Sequence, residues 1–360
     1  MNYWLLGSVI AAVAIVAFFV PVEPFPSYGG NKTTVHVSVE VVAQNLEIPW
    51  ALDFLPDRTL IFTERPGRVN IIKNGSVETI ATLNVEHVGE GGLLGIAVDP
   101  DYTTNRYIYL YHTYRDERLW NRVVRFTIMN NTLTDMYVVV DKIPAAEIHS
   151  GGRLKFHDGL LYATTGDAAE PHNAQNLSSL AGKILRIGSG GSLDDNPFDN
   201  TIVSYGHRNP QGLAWHPETN ELYATEHGPR ANDEINRIIA GANYGWPNTE
   251  CTQAAASVKN PIRCFTSTVA PSGATFARSG PWKNSLLVAT LRGSKLIRLV
   301  IDNDTVREEE IVLDGYGRLR DVVEYEGSFY VLTSNRDGRG TPAADDDKIL
   351  KITTSEIPAE

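Results

Sequence analysis

Three polar residues, His207, Arg208 and Asn209, lie side by side in a short segment bounded by Gly206 and Pro210. Glycine and proline favour turns, so these side chains are expected in a turn between two strands rather than along a regular surface. A rigid turn that presents an arginine and an asparagine together offers hydrogen-bond donors to an anionic or carbonyl-rich ligand. The alternative is a turn that only connects two strands and carries its arginine incidentally.

His149 and Asp167 form a second candidate pair. His149 opens one predicted hairpin and Asp167 closes it, so pairing of the two strands brings both residues out at the same end. A carboxylate that accepts from one imidazole nitrogen fixes the tautomer and raises the basicity of the other nitrogen, as a general base requires. The alternative is a surface histidine beside a turn aspartate.

Oxygen-rich turns follow the next predicted hairpin, in residues 225–229, 232–236 and 243–247. A Gly-Pro turn such as Gly228-Pro229 can direct successive carbonyl groups to one side. Hard cations such as calcium prefer carbonyl and carboxylate oxygens. The acidic loop of an EF-hand is absent, so the spacing alone leaves calcium binding as one of several interpretations.

Four arginines, Arg208, Arg292, Arg318 and Arg320, lie near predicted loop ends. Arg318 and Arg320 alternate along the chain, which places them on the same side of a strand. An arginine that faces inward is costly unless it is paired. A multiply anionic ligand would provide that pairing, and salt bridges to nearby aspartates are the alternative.

The glycine-rich segment 89–95 has Glu90 as its one ionisable side chain. A dinucleotide-binding loop of this kind needs a helix after it, whereas the residues that follow are typical of a strand and a turn. We interpret the segment as a loop in which the backbone closely approaches a bound ring or a neighbouring blade.

Six similar hairpins must position these residues. Each combines a short apolar strand, a turn, and a second strand rich in aromatic and β-branched residues; they occupy 50–63, 94–111, 153–165, 212–225, 272–290 and 320–333. Their spacing of roughly 45 to 60 residues is near the period of propeller blades. We therefore predict an all-β fold, a six-bladed propeller of four-stranded antiparallel blades over residues 35–354. Residues 35–42 are expected to complete the last blade beside 349–352, which removes exposed sheet edges.

The net charge, the apolar N-terminal segment and the cysteines indicate the compartment and the kinds of partner. The net charge of -11 argues against nucleic acid as a partner. Residues 1–22 are almost wholly apolar and are predicted to be a signal peptide or a membrane anchor, followed by a tether at 23–34. The membrane is then reached only through this N-terminal segment. The two cysteines, Cys251 and Cys264, are expected to pair in an oxidising, extracytoplasmic compartment, with two free thiols as the alternative.

Over residues 45–352 the sequence resembles the soluble aldose and glucose sugar dehydrogenases that depend on pyrroloquinoline quinone (PQQ) and calcium. The motifs that carry the resemblance are 89–95, 149–154, 180–187, 206–215, 226–236 with 243–247, and 318–322 with 333–340. It is closer to the archaeal and bacterial aldose sugar dehydrogenases than to the bacterial soluble glucose enzyme. The resemblance implies oxidation of an aldose at the anomeric carbon to a lactone, with electrons passed to an external acceptor. A non-catalytic propeller of the same family that binds glycan or protein is the alternative.

The resemblance also implies roles for individual residues. They are His149 as the base, Asp167 as the carboxylate that orients it, Arg208 and Asn209 as contacts of the quinone, Arg318 and Arg320 as partners of the PQQ carboxylates, the carbonyls of Gly228 and Pro229 as calcium ligands, and Glu234 and Tyr244 as ligands of a second cation. Arg208 is also expected to stabilise the developing oxyanion. Two positions depart from the glucose enzyme, because Glu90 replaces a glutamine of the sugar pocket and Arg292 replaces a PQQ-binding lysine.

Overall fold

The computed structural model describes residues 34–188, 195–251 and 256–357. Within these ranges the chain forms six antiparallel sheets of four strands each, and each sheet except the last is built from four consecutive strands. The predicted six-bladed propeller is confirmed. The predicted signal or anchor segment and the tether up to residue 33 lie outside the described residues.

The strand bounds are as follows, with the innermost strand of each blade first. Blade 1 contains β2 (Pro49–Phe54), β3 (Leu60–Glu64), β4 (Arg68–Lys73) and β5 (Ser76–Thr82). Blade 2 contains β6 (Leu93–Val98), β7 (Tyr107–Asp116), β8 (Arg118–Met129) and β9 (Thr132–Pro144). Blade 3 contains β10 (Leu154–His157), β11 (Leu160–Thr165), β12 (Lys183–Ile187) and β13 (Ile202–Tyr205).

The second half of the chain repeats this order. Blade 4 contains β14 (Pro210–Trp215), β15 (Leu222–Glu226), β16 (Asp233–Ile238) and β17 (Arg263–Phe265). Blade 5 contains β18 (Pro271–Phe276), β19 (Ser285–Thr290), β20 (Leu296–Asp302) and β21 (Thr305–Leu313). Blade 6 contains β22 (Leu319–Tyr325), β23 (Ser328–Thr333), β24 (Ile349–Ile357) and, as its outer strand, β1 (Thr34–Ala43).

The first and last strands close the ring. Strand β1 pairs antiparallel with β24 from Thr34 opposite Ile357 to Ala43 opposite Ile349, as the sequence predicted. Helix is confined, among the described residues, to α1 (Tyr102–Asn105) and one 3-10 turn (Pro171–Gln175). None of the helices described is long and apolar enough to cross a membrane.

Small residues on the innermost strands let neighbouring blades approach closely. A Cβ on Gly95 would lie 2.2 Å from the Gly152 carbonyl oxygen, and a Cβ on Gly212 would lie 2.3 Å from that of Ser272. In five of the six blades the register between the two inner strands shifts within the first residues of the innermost strand. Such bulges turn the strand and re-aim its side chains, and here they lie at the end of the channel where the predicted site residues collect.

A disulfide joins Cys251 to Cys264, with the two Cα atoms 5.8 Å apart. This pairing was predicted from the sequence. It ties the segment after β16 to strand β17, next to residues that the sequence assigned to cation binding.

Candidate active site

Loops from all six blades meet at one end of the channel and enclose a cavity, which we call the axial cavity. Its lining residues are Trp50, Glu90, Ser150, Gly151, Gln211, His227, Leu291, Arg320 and Arg339. A larger groove between blades 1 and 2, lined in part by Leu55, Ile71 and Tyr102, contains none of the predicted site residues. The axial cavity is therefore the candidate site.

His149 and Asp167 form a direct pair beside this cavity. The Nδ1 atom of His149 lies 2.7 Å from Asp167 Oδ1, while Asp167 Oδ2 accepts a hydrogen bond of 2.8 Å from the indole Nε1 of Trp246. The Asp167 side chain is completely buried and that of His149 is 10 % exposed. This carboxylate therefore holds the Nδ1–H tautomer, which leaves Nε2 of His149 as the atom that can accept a proton.

The backbone at His149 is held in an unusual conformation. Its φ is +62°, its amide N–H donates 2.8 Å to Glu90 Oε2, and a Cβ on Gly166 would lie only 1.9 Å from its carbonyl oxygen. Non-glycine residues in this left-handed region carry strain, which is common at functional sites. Glycine at 166 is thus needed to let the His149 loop pack against the end of β11.

Arg208 lies in the predicted turn, with both its backbone and its guanidinium fixed. Glu226 accepts from the backbone N–H, and Nη1 donates to the carbonyls of Gly228 (2.8 Å) and His227 (3.2 Å). Burial lowers the pKa of Arg208, against the opposing effect of Asp167 and other nearby acids. The Gly228 carbonyl, predicted to bind calcium, thus accepts from Arg208 in this structure.

Asn209 is buried and turned toward the His149 loop. Its Oδ1 accepts from Gly151 N (3.1 Å) and from Gln211 Nε2 (2.9 Å). The Oδ1 atom of Asn209 is thus used in hydrogen bonds within the protein, and its Nδ2 is the atom that can contact a ligand.

The two arginines of blade 6 have different environments. Arg318 donates through Nε (3.0 Å) and Nη2 (2.8 Å) to one oxygen of Asp337, so the alternative interpretation, a local salt bridge, holds for this residue. Among the described residues, the guanidinium of Arg320 donates to the neutral groups of Gln211 (2.9 Å) and Ser272 (3.3 Å) and to no carboxylate. Burial, together with the cations of nearby arginines, lowers the pKa of Arg320 to about 9. Of the two arginines of blade 6, Arg320 is therefore the one whose guanidinium has a nitrogen left for an anionic partner.

Arg292 is less closely associated with the cavity. It is exposed, and its neighbour Leu291, rather than Arg292 itself, lines the axial cavity. Its predicted contact with a PQQ carboxylate stays a prediction.

Glu90 forms an ion pair with Arg339, which also lines the axial cavity and is not among the residues predicted from the sequence. Arg339 Nη1 lies 2.8 Å from Glu90 Oε1. Although burial acts to raise it, the pKa of Glu90 is lowered to about 2 by this contact and by the His149 amide. A second arginine that was missed, Arg65, is also buried near these groups. Both arginines follow the second strand of a blade, a position that could have drawn attention to them.

The predicted cation ligands line a small cleft that adjoins the axial cavity. The cleft is lined by Arg208, Glu226, His227, Gly228, Pro229, Asn232, Glu234, Tyr244, Trp246, Thr249 and Glu250. Burial and the nearby Glu226 raise the pKa of Glu234 to about 7. The Tyr244 hydroxyl, however, donates to the Arg237 carbonyl (2.7 Å) and accepts from the Ile239 amide, so only its backbone carbonyl can serve a cation in the cleft. Among residues 34–188, 195–251 and 256–357, no three His, Cys, Asp or Glu side chains are arranged to hold a metal.

Five buried polar atoms at or near the axial cavity have no hydrogen-bond partner within the described residues. They are Arg208 Nε, Arg320 Nε, Arg153 Nη2, His227 Nε2 and Ser150 Oγ. Such atoms are rare in folded proteins and call for an explanation, of which a bound ligand is one. Because two of the five are nitrogens of Arg320 and Arg208, which line the axial cavity and its cleft, the residues fit a ligand that bears negative charges and acceptor oxygens.

Comparison with known proteins agrees with this architecture. The model of the Glucose / Sorbosone dehydrogenase family matches residues 46–345. The chain is 33 % identical to aldose sugar dehydrogenase YliI of Escherichia coli, over 84 % of this chain and 91 % of that protein. It is 34 % identical to quinoprotein glucose dehydrogenase B of Acinetobacter calcoaceticus, over 69 % of this chain and 61 % of that protein.

The fold comparison agrees. The PQQ-bound form of aldose sugar dehydrogenase from Streptomyces coelicolor superposes with a TM-score of 0.83 at 35 % identity, covering 90 % of this chain and 99 % of that one. A sugar-oxidising family and a six-bladed scaffold with its polar loops at one end thus coincide in this chain, which belongs to the Glucose / Sorbosone dehydrogenase family.

Proposed function

We propose that this protein is a PQQ- and calcium-dependent dehydrogenase that oxidises aldose sugars to lactones and passes the electrons to an external acceptor. The observation that carries the proposal is the convergence of the His149–Asp167 pair, the buried Arg320 and the half-buried Arg208 around the axial cavity and its adjoining cleft, with unpaired donors. Similarity to an aldose sugar dehydrogenase and to a PQQ-bound structure supports the choice of substrate and cofactor.

The cofactor's three carboxylates account for the arginines. Arg320, which has no acidic hydrogen-bond partner among the described residues, is the first candidate to hold a carboxylate, and Arg318 and Arg292 are the other proposed partners. Arg208 and Asn209 are proposed to contact the quinone ring. When bound, PQQ supplies the hydride acceptor and calcium supplies a Lewis acid that polarises the quinone oxygen.

His149 is the proposed general base. Its Nε2 accepts the proton of the anomeric hydroxyl, and Asp167 stabilises the imidazolium that results. Arg208 lines the cleft that adjoins the axial cavity, and its guanidinium is proposed to balance negative charge that develops on oxygen. Glu90, which lines the cavity, is proposed to accept a hydrogen bond from a sugar hydroxyl while it stays paired with Arg339.

The carbonyls of Gly228 and Pro229 are proposed to bind calcium, which requires the Arg208 guanidinium to release the Gly228 oxygen to which it donates at 2.8 Å. Both line the cleft that also contains the carboxylate of Glu234, and oxygen-only ligand sets of this kind suit calcium. Glu234 and the backbone carbonyl of Tyr244 are the proposed ligands of a second cation.

The compartment is proposed to be extracytoplasmic. The disulfide between Cys251 and Cys264 favours an oxidising environment. Residues 1–22 are proposed to deliver the domain there as a signal peptide, or to anchor it to the outer face of the membrane.

Reconstitution tests the proposal directly. The purified protein, loaded with PQQ and calcium chloride, should reduce an artificial dye when an aldose is added, and omission of PQQ should abolish the reaction. The variant His149→Ala should still shift the PQQ absorption spectrum on binding but should lose most turnover. A loaded protein that binds PQQ and oxidises no aldose would favour the non-catalytic alternative, and absence of both signals would refute the proposal.

A further inference from the structure

His207 is the member of the His-Arg-Asn turn to which the proposed reaction gives no role. Its side chain is 0 % exposed, yet both ring nitrogens are used. Nδ1 lies 2.8 Å from Glu226 Oε2 and Nε2 lies 2.8 Å from Ser204 Oγ. The ring also stacks on Tyr244 with the centroids 4.7 Å apart.

The order Ser204, His207, Glu226 has the distances of a nucleophilic triad, but its burial excludes that function. Ser204 is 0 % and Glu226 4 % exposed, and Tyr244 covers one face of the imidazole. A nucleophile must reach its substrate, so this network can act only on groups of the protein itself.

The group on which it acts is Arg208. Glu226 uses its second oxygen, Oε1, to accept from the backbone N–H of Arg208. The two residues that follow Glu226 supply the carbonyls that hold the Arg208 guanidinium, at 3.2 and 2.8 Å. On the other side, the Arg208 carbonyl accepts from Asp167 N (2.8 Å). The orientation of the Glu226 carboxylate therefore sets the position of Arg208 relative to the His149–Asp167 pair.

We propose that His207 is a positioning residue for Arg208. The hydroxyl of Ser204 donates to Nε2, which leaves the proton on Nδ1, and Nδ1–H donates to Glu226 Oε2. The carboxylate is thereby held in the rotamer in which Oε1 reaches the Arg208 amide. This inference rests on the proposed function, because Arg208 has its role at the quinone only there.

Two substitutions distinguish the roles of the two ring nitrogens of His207. In His207→Asn, the amide nitrogen can take the place of Nδ1 and keep the bond to Glu226. In His207→Gln, the longer side chain places its amide nearer to Ser204 and gives up the bond to Glu226. We expect His207→Gln to lower kcat at least tenfold and to weaken PQQ binding severalfold, with KM for the aldose changed less than threefold. His207→Asn should recover most of both losses.

A matched control and a double-mutant cycle exclude general destabilisation. His157 also stacks on an aromatic ring, that of Trp215 at 4.5 Å. It is the last residue of β10 and precedes the hairpin turn at the end of blade 3 opposite to the site. His157→Gln should lower Tm without changing kcat. In the Arg208→Ala background, His207→Gln should cost less than a further twofold in kcat, since a residue that acts through Arg208 has nothing left to position.

An undiminished effect of His207→Gln in the Arg208→Ala background would overturn the inference, as would equal losses for the Gln and Asn variants. PQQ affinity, followed by fluorescence titration without sugar, is a readout independent of turnover. If the loaded wild-type protein oxidises no aldose, the proposed function fails. The comparison of PQQ affinities between the Gln and Asn variants still decides whether His207 positions Arg208.

Discussion

Asp167 holds His149 through one carboxylate oxygen and Trp246 through the other. In the variant Asp167→Asn, one side of the side chain becomes an NH2 group, so one of these buried donors loses its acceptor. The imidazole then loses its fixed tautomer and the charge that stabilises its protonated form. We expect kcat to fall by about 10²- to 10⁴-fold while PQQ binding is retained, as steady-state kinetics and a binding titration can show.

The matched control is Asp158→Asn. Asp158 also pairs with a histidine, His157 (3.3 Å), but its side chain is 73 % exposed and lies away from the cavity. This variant should keep kcat within about twofold of wild type. If Asp167→Asn did the same, the assignment of His149 and Asp167 as an active pair would be wrong.

The lowered pKa of Glu90 predicts a specific pH dependence of the free energy of unfolding. Its pKa falls from an ordinary 4.5 to about 2 in the folded protein. A lowered carboxyl pKa stabilises the folded state at pH values above the unfolded pKa, and this contribution disappears as the pH falls through the folded pKa. The free energy of unfolding of Glu90→Gln should therefore lie below that of wild type above pH 4.5, and the two should converge between pH 4.5 and 2. Urea denaturation across this range measures the difference.

Glu86→Gln is the control for the effect of Glu90. It breaks an ion pair to Arg115 of similar length, 3.0 Å, in which the glutamate is more exposed, 37 % against 21 % for Glu90, and such a pair contributes about 0–1 kcal/mol at most. A constant gap between wild type and Glu90→Gln from pH 7 to pH 2 would contradict the assigned pKa of Glu90.

Sequence reasoning identified the residues that belong to the hairpin repeats. His149 and Asp167 could be paired because they flank the two strands of one hairpin, and antiparallel strands bring such ends together. Arg339 could not be assigned to Glu90, because the two lie 249 positions apart and the path of the loop that carries Arg339 is not set by any repeat. Arg65 was not predicted because it follows the second strand of blade 1, just outside the hairpin 50–63.

In three blades, a polar residue at or just after the end of the second strand has a structural role. Glu64, Glu226 and Asn335 each accept a backbone N–H from the loop that enters the innermost strand of the same blade, at Glu47, Arg208 and Arg318. The sequence does not reveal these contacts, because the acceptor and the donor are 17 or 18 residues apart. In blades 4 and 6 the amide so held is that of an arginine. In these two blades, the hydrogen bond that fixes the loop before the innermost strand thus also positions an arginine proposed to bind the cofactor.

The disulfide constrains the element that forms the cation cleft. Cys251 and Cys264 are 13 positions apart, and the amide of Cys251 donates 2.9 Å to Glu234. Closing a loop of this size contributes about 3 kcal/mol by restricting the unfolded chain. The double variant Cys251→Ser/Cys264→Ser should lose about this much in urea denaturation and should require more calcium for half-maximal loading with PQQ.

Wild-type protein treated with a reductant provides the comparison. It should approach the stability of the double variant, and the double variant itself should not respond to the reductant. A double variant as stable as the oxidised wild type would show that the loop is held by its other contacts.

At the scale of the whole molecule, Arg153 joins blades that are remote in the sequence. Its Nη1 lies 2.7 Å from Asp321 of blade 6, 168 positions away, and both side chains are buried. Its Nε donates 3.0 Å to the Gln211 carbonyl of blade 4, and its guanidinium lies 4.4 Å from the ring centroid of Trp50 in blade 1. Beneath the axial cavity, one cation therefore contacts three other blades, which hairpin periodicity alone does not reveal.

Substitution of either Arg153 or Asp321 should destabilise the whole propeller. In Asp321→Asn the charge of Arg153 stays buried without its carboxylate, and breaking a buried pair in this way costs about 3–5 kcal/mol. Replacing both residues by apolar ones, as in Arg153→Met/Asp321→Leu, removes the unpaired charge, so this double variant should be more stable than Asp321→Asn. Urea denaturation followed by tryptophan fluorescence should show one cooperative transition for each variant, with the midpoint lowest for Asp321→Asn. A double variant less stable than Asp321→Asn would mean that the packing of Arg153 against Trp50, and not its ion pair with Asp321, holds these blades together.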